Sequence, residues 1–485
     1  MNTFNSTLHR VHKSASRRSA SVLVIVLWIA FGLVSIALYF GQSMLFNLHA
    51  ADNYEASVEA NQAIEGAARY ISFVLTNLQQ QVQTQGTNMP GILIMPGNIQ
   101  AYSPQSGQTP YTQTYQGEEV PVGNARFWLI GKDTGGTSNI TSGLPTFGLV
   151  DEASKLNINT ATLDMLEALP FMTPDVAASI LNWRNSAANV TAGGAELEYG
   201  MLNPPYTCKN APFETIDELK LVMGVTTDML YGADLNLNGI LDPNENNQNT
   251  FQTGGNLDGG LNAGILEYVT VYSREPNIQA DGSARVNISS ISSSGAGSLR
   301  TVLQNALSAQ RASQILQQAG VGVGPGATFG SALEFYIRSG MTADEFAQVA
   351  DALTTTNASY IAGLINVNTA PAPVLACVPG IGVDNAQTLV TYRQTHPDQL
   401  ATVAWVTQVL GTTAAIQAGP YITAKSYQFT ADVAAVGHYG RGYRRTVFVF
   451  DTSGGEPQII YRRDMTQRSW ALGNARQKWQ LTRKM

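Results

Sequence analysis

The pattern of apolar and polar positions changes period several times along the chain, and each change marks an element. Residues 19–51 contain no Lys, Arg, Asp or Glu, and residues 21–40 read SVLVIVLWIAFGLVSIALYF, about the twenty apolar residues that a helix needs to cross a bilayer core. Arg10, Lys13, Arg17 and Arg18 precede this run and Asp52 and Glu55 follow it, which puts the short end in the cytoplasm and the body outside. No proline occurs before Pro90. Tyr54, Val58, Ile64, Ala68, Ile71, Leu75 and Leu78 recur at helical spacings and predict one apolar stripe on a long extension of the same helix. A cleaved secretory signal fits less well, because no turn residues and small-x-small site close the apolar run.

Beyond the helix the period shortens. Residues 84–117, rich in Gln, Thr, Gly and Pro, read as a long surface loop. Short strands are predicted at 120–132, 146–150, 266–273 and 284–288. Three more follow at 427–436, 443–450 and 458–463, separated by Gly440-Arg441-Gly442 and Gly454-Gly455 as in an antiparallel meander. Helical patterns fill the gaps, so the expected class is α+β: an N-terminal transmembrane and stalk helix, then an antiparallel sheet interrupted by a large helical insertion.

A repeat lies inside that insertion. Residues 157–184 (NINTATLDMLEALPFMTPDVAASILNWR) and 366–393 (NVNTAPAPVLACVPGIGVDNAQTLVTYR) align without a gap, and matched pairs such as Asn157/Asn366, Asn159/Asn368, Pro170/Pro379 and Arg184/Arg393 keep a constant offset of 209. Each copy reads as a helix-hairpin-helix, with an Asn/Thr start, a Pro-containing turn and a second helix ending at Arg. Thr215-Ile216-Asp217-Glu218 is a capping box for a further helix closed by Gly224.

Composition narrows the function. The 485 residues allow two or three compact units, and 44% hydrophobic with 13% charged residues is the balance of a folded chain. Net charge is −7 from 28 bases and 35 acids; without the four bases of the first twenty residues it is 24 against 35, or −11. Such a body gains little from phosphate backbones, which weighs against nucleic acid as the main partner. The competing reading is a membrane-anchored extracytoplasmic DNA-binding protein using the turn Pro379-Gly380-Ile381-Gly382, whose backbone N–H groups suit a phosphate; Pro170-Phe171-Met172-Thr173 in the first copy does not. Cys208 and Cys377 stand far apart, without CxxC or histidine company, and are either one disulfide or two small buried residues. No HExxH, Gly-x-Ser-x-Gly or Walker loop occurs, so the chain is not expected to be an enzyme. The basic C-terminal end, including Arg462, Arg463 and Arg468, reads either as a solvated face or as a docking edge for acidic partners.

The one ligand-binding pattern is DLNLNGILDPNE at 234–245. It has the order of a twelve-residue EF-hand calcium loop, with glycine at the sixth place. Asp234, Asn236 and Asn238 would supply side-chain oxygens, Ile240 its carbonyl, Asp242 a direct or water-mediated contact, and Glu245 both carboxylate oxygens, so Ca²⁺ is the expected ion. Asn256 and Asp258 before Gly259-Gly260 form a much weaker second pattern that reads better as a turn.

Residues 17–28 (RRSASVLVIVLW), with a basic pair, a small residue and an apolar run reaching Trp28, resemble the leader junction of the minor pseudopilin K family of type II secretion, the general secretion pathway protein K family. The two Asn-x-Asn-Thr-Ala copies and residues 204–213 (PPYTCKNAPF) extend the resemblance over most of the chain. It implies a prepilin leader cut by a prepilin peptidase between Ala20 and Ser21, although the family has glycine where Ala20 stands. Ile25 then becomes the fifth mature residue. Most pilins carry glutamate there to pair with a neighbour's terminal amine, and an unpaired buried carboxylate is costly; K subunits lack it. The resemblance therefore implies a subunit at the pseudopilus tip, acting in protein secretion with the minor pseudopilins I and J. It also implies a single-pass inner-membrane anchor with a cytoplasmic N-terminus, a periplasmic body and bound calcium. The implied plan is a leader (1–20), a transmembrane and stalk helix (21–83), a first part of a pilin-like sheet (84–154) and a first helical module with the calcium loop (155–262). Strands (263–297), a second helical module (298–424) and the C-terminal strands with a basic tail (425–485) complete it, the two modules being helix-hairpin-helix or SAM-like.

Overall fold

The computed structural model describes residues 17–84, 91–95, 98–102, 111–132, 145–185, 199–240, 242, 245, 263–291, 293–322 and 326–474. The leader before residue 17, the Asn256/Asp258 pattern and the tail after residue 474 lie outside the described residues.

One helix, Arg17–Thr84, runs for 68 residues, about 100 Å at 1.5 Å per residue. It carries the Ala20–Ser21 bond without interruption and is long and apolar enough to cross a membrane. The large apolar side chains from Val22 to Leu48 are all exposed, so nothing in the described chain covers them. The later part buries one face through Ile64, Ile71, Val74, Leu75 and Leu78, each worth about 1.5–3 kcal/mol relative to exposure. The predicted stripe holds from Ile64 onward. Tyr54 is 73% exposed and Val58 37%, and the small residues Ala56, Ala60 and Ala63 take their place. The reason is the hairpin turn carrying Gly437 and Gly442, which passes so close to the Ala56 backbone that a larger side chain on this face would hold it off.

The buried face lies on an antiparallel sheet. Its strand order is Gln458–Asp464, Arg444–Asp451, Gln428–Val436, Ala125–Ile130 and Val120–Val122, with Val150–Asp151 also pairing with Gln428–Val436. Phe127, Leu129, Phe429, Val433, Phe448 and Phe450 meet the helix. The chain leaves the sheet after Asp151 and returns at Gln428, so the insertion is joined to it at neighbouring points. Two further cores fill the insertion, one around Leu166, Ile180, Trp183, Leu375, Leu389 and Trp405 and one around Leu303, Ile315, Phe335 and Phe346.

Residues 84–117 correct the loop expectation. Gly91–Met95, Asn98–Tyr102 and Tyr111–Gln116 make a three-stranded antiparallel sheet. The Gly/Pro/Gln composition masked the β-forming Ile-Leu-Ile and Tyr-Thr-Gln-Thr-Tyr stretches. The capping box at Thr215 does form, with the Thr215 amide donating to Glu218 Oε1 at 3.1 Å, but it opens a 3₁₀ segment, Ile216–Leu221, instead of an α-helix.

Candidate functional site

The repeated Asn-x-Asn-Thr-Ala stretch builds a clasp. In the first copy Leu156–Asn157 pairs in parallel with Val269–Thr270, and in the second Ile365–Asn366 pairs with Ile422–Thr423. Asn157 Oδ1 accepts from the Asn159 amide and its Nδ2 donates to Ser273; Asn366 Oδ1 accepts from the Asn368 amide and its Nδ2 donates to Ser426 Oγ at 2.7 Å. The Thr270 and Thr423 hydroxyls accept from the amides two residues on, Tyr272 and Lys425. Arg184 donates to the carbonyls of Ile158 and Ala161, and Arg393 to those of Val367 and Ala370, the same partners at the offset of 209. The matched arginines are thus not merely helix ends; each ties its longer helix back to the strand that opens its copy.

Sequence reading placed a strand at 266–273, around Val269–Thr270, but missed Ile422–Thr423 and the pairing in both copies. Thr270-Val-Tyr-Ser273 and Thr423-Ala-Lys-Ser426 share Thr-x-x-Ser at an offset of 153, too short a signal to stand alone. A third clasp follows the same rules. Val286–Asn287 pairs in parallel with Leu353–Thr354, Asn287 Oδ1 accepts from the Ser289 amide, and its Nδ2 donates to Asn357 at 2.8 Å. The Thr356 amide donates to Thr354 Oγ1.

Buried acids link these clasps. Asp151 accepts from Asn366 and from the Thr369 and Ser426 hydroxyls, and burial pushes its carboxyl up to about 6 against those hydrogen bonds. Arg285 and Lys425 sit among Glu275 and Asp351, a quartet of balanced charge between the second and third clasps. The turns of both repeats place a residue in the left-handed region, Phe171 (φ 63°) and Gly380 (φ 82°). A Cβ on Gly380 would stand 2.3 Å from the Ala414 carbonyl oxygen. The Ile381 and Gly382 amides of that turn both donate to the Val378 carbonyl, at 3.1 and 3.4 Å, so they are taken within the chain, and the DNA-binding reading finds no support.

The loop 234–245 gathers its predicted oxygen residues. Asp234, Asn236, Asn238 and Glu245 are buried, with Leu237 (φ 58°) and Gly239 (φ 76°) turning the chain. Asp234 Oδ1 and Oδ2 accept from the amides of Asn238 at 3.0 Å and Gly239 at 2.8 Å. Glu245 reaches back across the loop, accepting from Leu235 at 3.0 Å and Asn236 at 3.3 Å through Oε1 and from Asp242 at 3.1 Å through Oε2. Asp242 Oδ2 accepts from the side-chain amides of Asn236 and Asn238, and the Ile240 amide donates to Asn238 Oδ1. Burial raises the Asp234 and Glu245 carboxyls, and neighbouring acids add to both. Among the described residues no three His, Cys, Asp or Glu side chains converge into a metal cluster by themselves; here amides share the donor set. The set is wholly oxygen, which fits a hard cation such as Ca²⁺.

Other sequence candidates resolve simply. Cys208 and Cys377 are both buried and not joined in a disulfide, and burial pushes the Cys377 thiol up to about 12. Among the described residues, three C-terminal bases pair within the chain: Arg462 with Glu65 of the long helix, Arg463 with Asp217, and Arg468, which donates to Tyr231 Oη at 2.6 Å.

Comparison with known proteins follows the same division of the chain. Two models of one family match, each described as type II secretion system (T2SS), protein K, over residues 150–232 and 365–423. No curated protein matches. Among solved structures, the crystal structure of the GspK-GspI-GspJ complex from the enterotoxigenic Escherichia coli type 2 secretion system is similar at 9% identity and a TM-score of 0.33, covering 83% of this chain and 98% of that one; so distant a likeness carries no weight by itself. Both copies of the repeated unit fall inside matches to one family, and the chain belongs to the type II secretion system protein K family of minor pseudopilins.

Proposed function

We propose that this minor pseudopilin stands at the tip of the pseudopilus, where it initiates or caps the filament that drives protein export. The observation that carries this reading is a rod whose apolar residues from Val22 to Leu48 are uncovered, continuous with the part of the same helix that packs on the sheet. An apolar helical surface of that length is covered by lipid or by sister helices. Ile25 offers no carboxylate to a subunit ahead of it, so the end of the bundle suits it. The anchor lies in the inner membrane with the body in the periplasm, and the role is assembly, with no catalytic step. Expressed together with the pseudopilins I and J, the full chain in detergent should elute as a complex with both. Elution alone, or labelling along the whole fibre, would remove the tip assignment.

Calcium is the second part of the proposal. Asp234, Asn236, Asn238, Ile240, Asp242 and Glu245 would hold it, and a bound ion supplies charge neutralisation for three carboxylates crowded into a buried loop. At a free calcium concentration of about 100 times Kd, binding to the folded state alone adds about 2.7 kcal/mol. Asp234→Ala with Glu245→Ala should abolish the rise in melting temperature that calcium gives over chelator. Identical melting of wild type in calcium and in chelator would count against the ion.

A further inference from the structure

The oxygen loop belongs to the insertion, yet its backbone is held from outside it. Arg445 lies on the sheet strand Arg444–Asp451 with its side chain 0% exposed. Its Nε donates to Asp432 Oδ1 at 2.8 Å on the adjacent strand and its Nη2 to Asp432 Oδ2. The rest of the guanidinium points into the loop: Nη1 donates to the Asn236 carbonyl and Nη2 to the Leu237 carbonyl at 3.0 Å. Arg468, beyond the last strand, donates to the preceding carbonyl, Leu235, at 3.2 Å and lies over the Tyr231 ring. Asn236 Nδ2 donates to the Trp470 carbonyl at 3.2 Å. Three consecutive carbonyls of the loop are thus gripped by two arginines of the C-terminal part of the chain.

The same peptides face the ligand side. The Leu235–Asn236 peptide accepts from Arg468 at its oxygen, while its amide donates to Glu245 Oε1. Leu237 holds a left-handed conformation that a leucine adopts only when its surroundings enforce it, and its carbonyl is one that Arg445 holds.

We propose that Arg445 makes ion binding in the 234–245 loop and docking of the helical insertion on the sheet a single coupled equilibrium. This rests on the calcium reading above. Only the loop in its ordered form presents the Asn236 and Leu237 carbonyls together to one planar guanidinium, and an ion that orders the loop strengthens the docking. By linkage, docking strengthens ion binding by the same factor. A lysine would keep the charge opposite Asp432 but lacks the fork needed to reach two further carbonyls.

The test uses the full chain in detergent, with calcium titrated calorimetrically and amide exchange followed in strands Gln428–Val436 and Arg444–Asp451. In the wild type, calcium should slow exchange in both strands. Arg445→Lys should bind calcium about tenfold more weakly, a coupling of ordinary allosteric size, and its strand amides should stop responding to the ion. Should Arg445→Lys fail to fold, Arg445→Met with Asp432→Leu replaces the buried pair by apolar residues that leave no lone charge and is read in the same way. Affinity within twofold of wild type and an intact exchange response in the folded variant would overturn the coupling while leaving the ion in place. No calcium uptake by the wild type would overturn the calcium reading itself, and the coupling with it.

Discussion

Gly442→Val should destabilise the folded body by about 4 kcal/mol, adding left-handed strain of about 1–3 kcal/mol to overpacking of similar size. Gly442 sits at φ 66°, and a Cβ there would stand 2.3 Å from the carbonyl carbon of Ala56 and 2.4 Å from the Ser57 nitrogen, both backbone of the long helix. Gly437 meets the Ala56 carbonyl oxygen at 2.2 Å by the same construction. Between the two glycines the turn holds on to the helix: the His438 amide donates to Glu59 Oε2 at 2.8 Å, the His438 ring lies between Asp52 and Glu59, and Arg441 pairs with Asp52. A branched side chain at 442 lifts the whole turn and breaks these contacts together. Denaturant unfolding of the full chain in detergent measures the effect. Gly454→Val is the control, since nothing lies within 4 Å of a Cβ at 454; equal midpoints for the two variants would refute the argument. Because the rod is the part set in the filament and the turn fastens the body to it, Gly442→Val should also loosen the body from any assembled tip.

The three clasps give the second large effect, as a graded series. Asn366→Ala should cost about 4 kcal/mol, because it leaves the Asn368 amide and one lone pair each on Ser426 Oγ and Asp151 without a partner in a buried setting, at about 1–3 kcal/mol for each orphaned group. Asn366 is 0% exposed. Asn157→Ala should cost about 2–3 kcal/mol by the same accounting, since it has no buried carboxylate among its partners. Asn287 is only half-buried and its Ser289 partner is exposed, so water replaces the lost bonds and Asn287→Ala should cost under about 1 kcal/mol. Unfolding midpoints in the order Asn287, Asn157, Asn366 check this. Three equal losses would mean that the clasps are held by packing and not by their asparagines.

Much of the site was legible. The reversal of the chain at 234–245 could be read because the spacing of its oxygens is that of a twelve-residue loop, and Glu245 does fold back on Leu235 and Asn236. The repeat could be read because two long copies preserve one offset. What escaped was the pairing within each clasp: Thr270 lies 113 residues after Asn157 and Thr354 lies 67 after Asn287, and a two-residue parallel pair leaves no periodic trace. Tyr54 and Val58 show the same limit on the helix. Their spacing fits a stripe, yet which side of a helix is buried depends on what approaches it, and there the approach is by two glycines.

The sequence by itself determined the elements whose physics is local: an uninterrupted apolar rod with bases on its short side, strands ended by glycine turns, and a loop with oxygens in a fixed order. Tertiary structure alone decided that a third clasp exists, that Arg462 and Arg463 of the last strand pair with acids of their own chain, and that Arg445 reaches the loop from the sheet, 208 residues from Leu237. The reason is that composition and period register neighbours along the chain, whereas these contacts form only once the insertion has closed and brought distant backbone carbonyls within reach of one side chain.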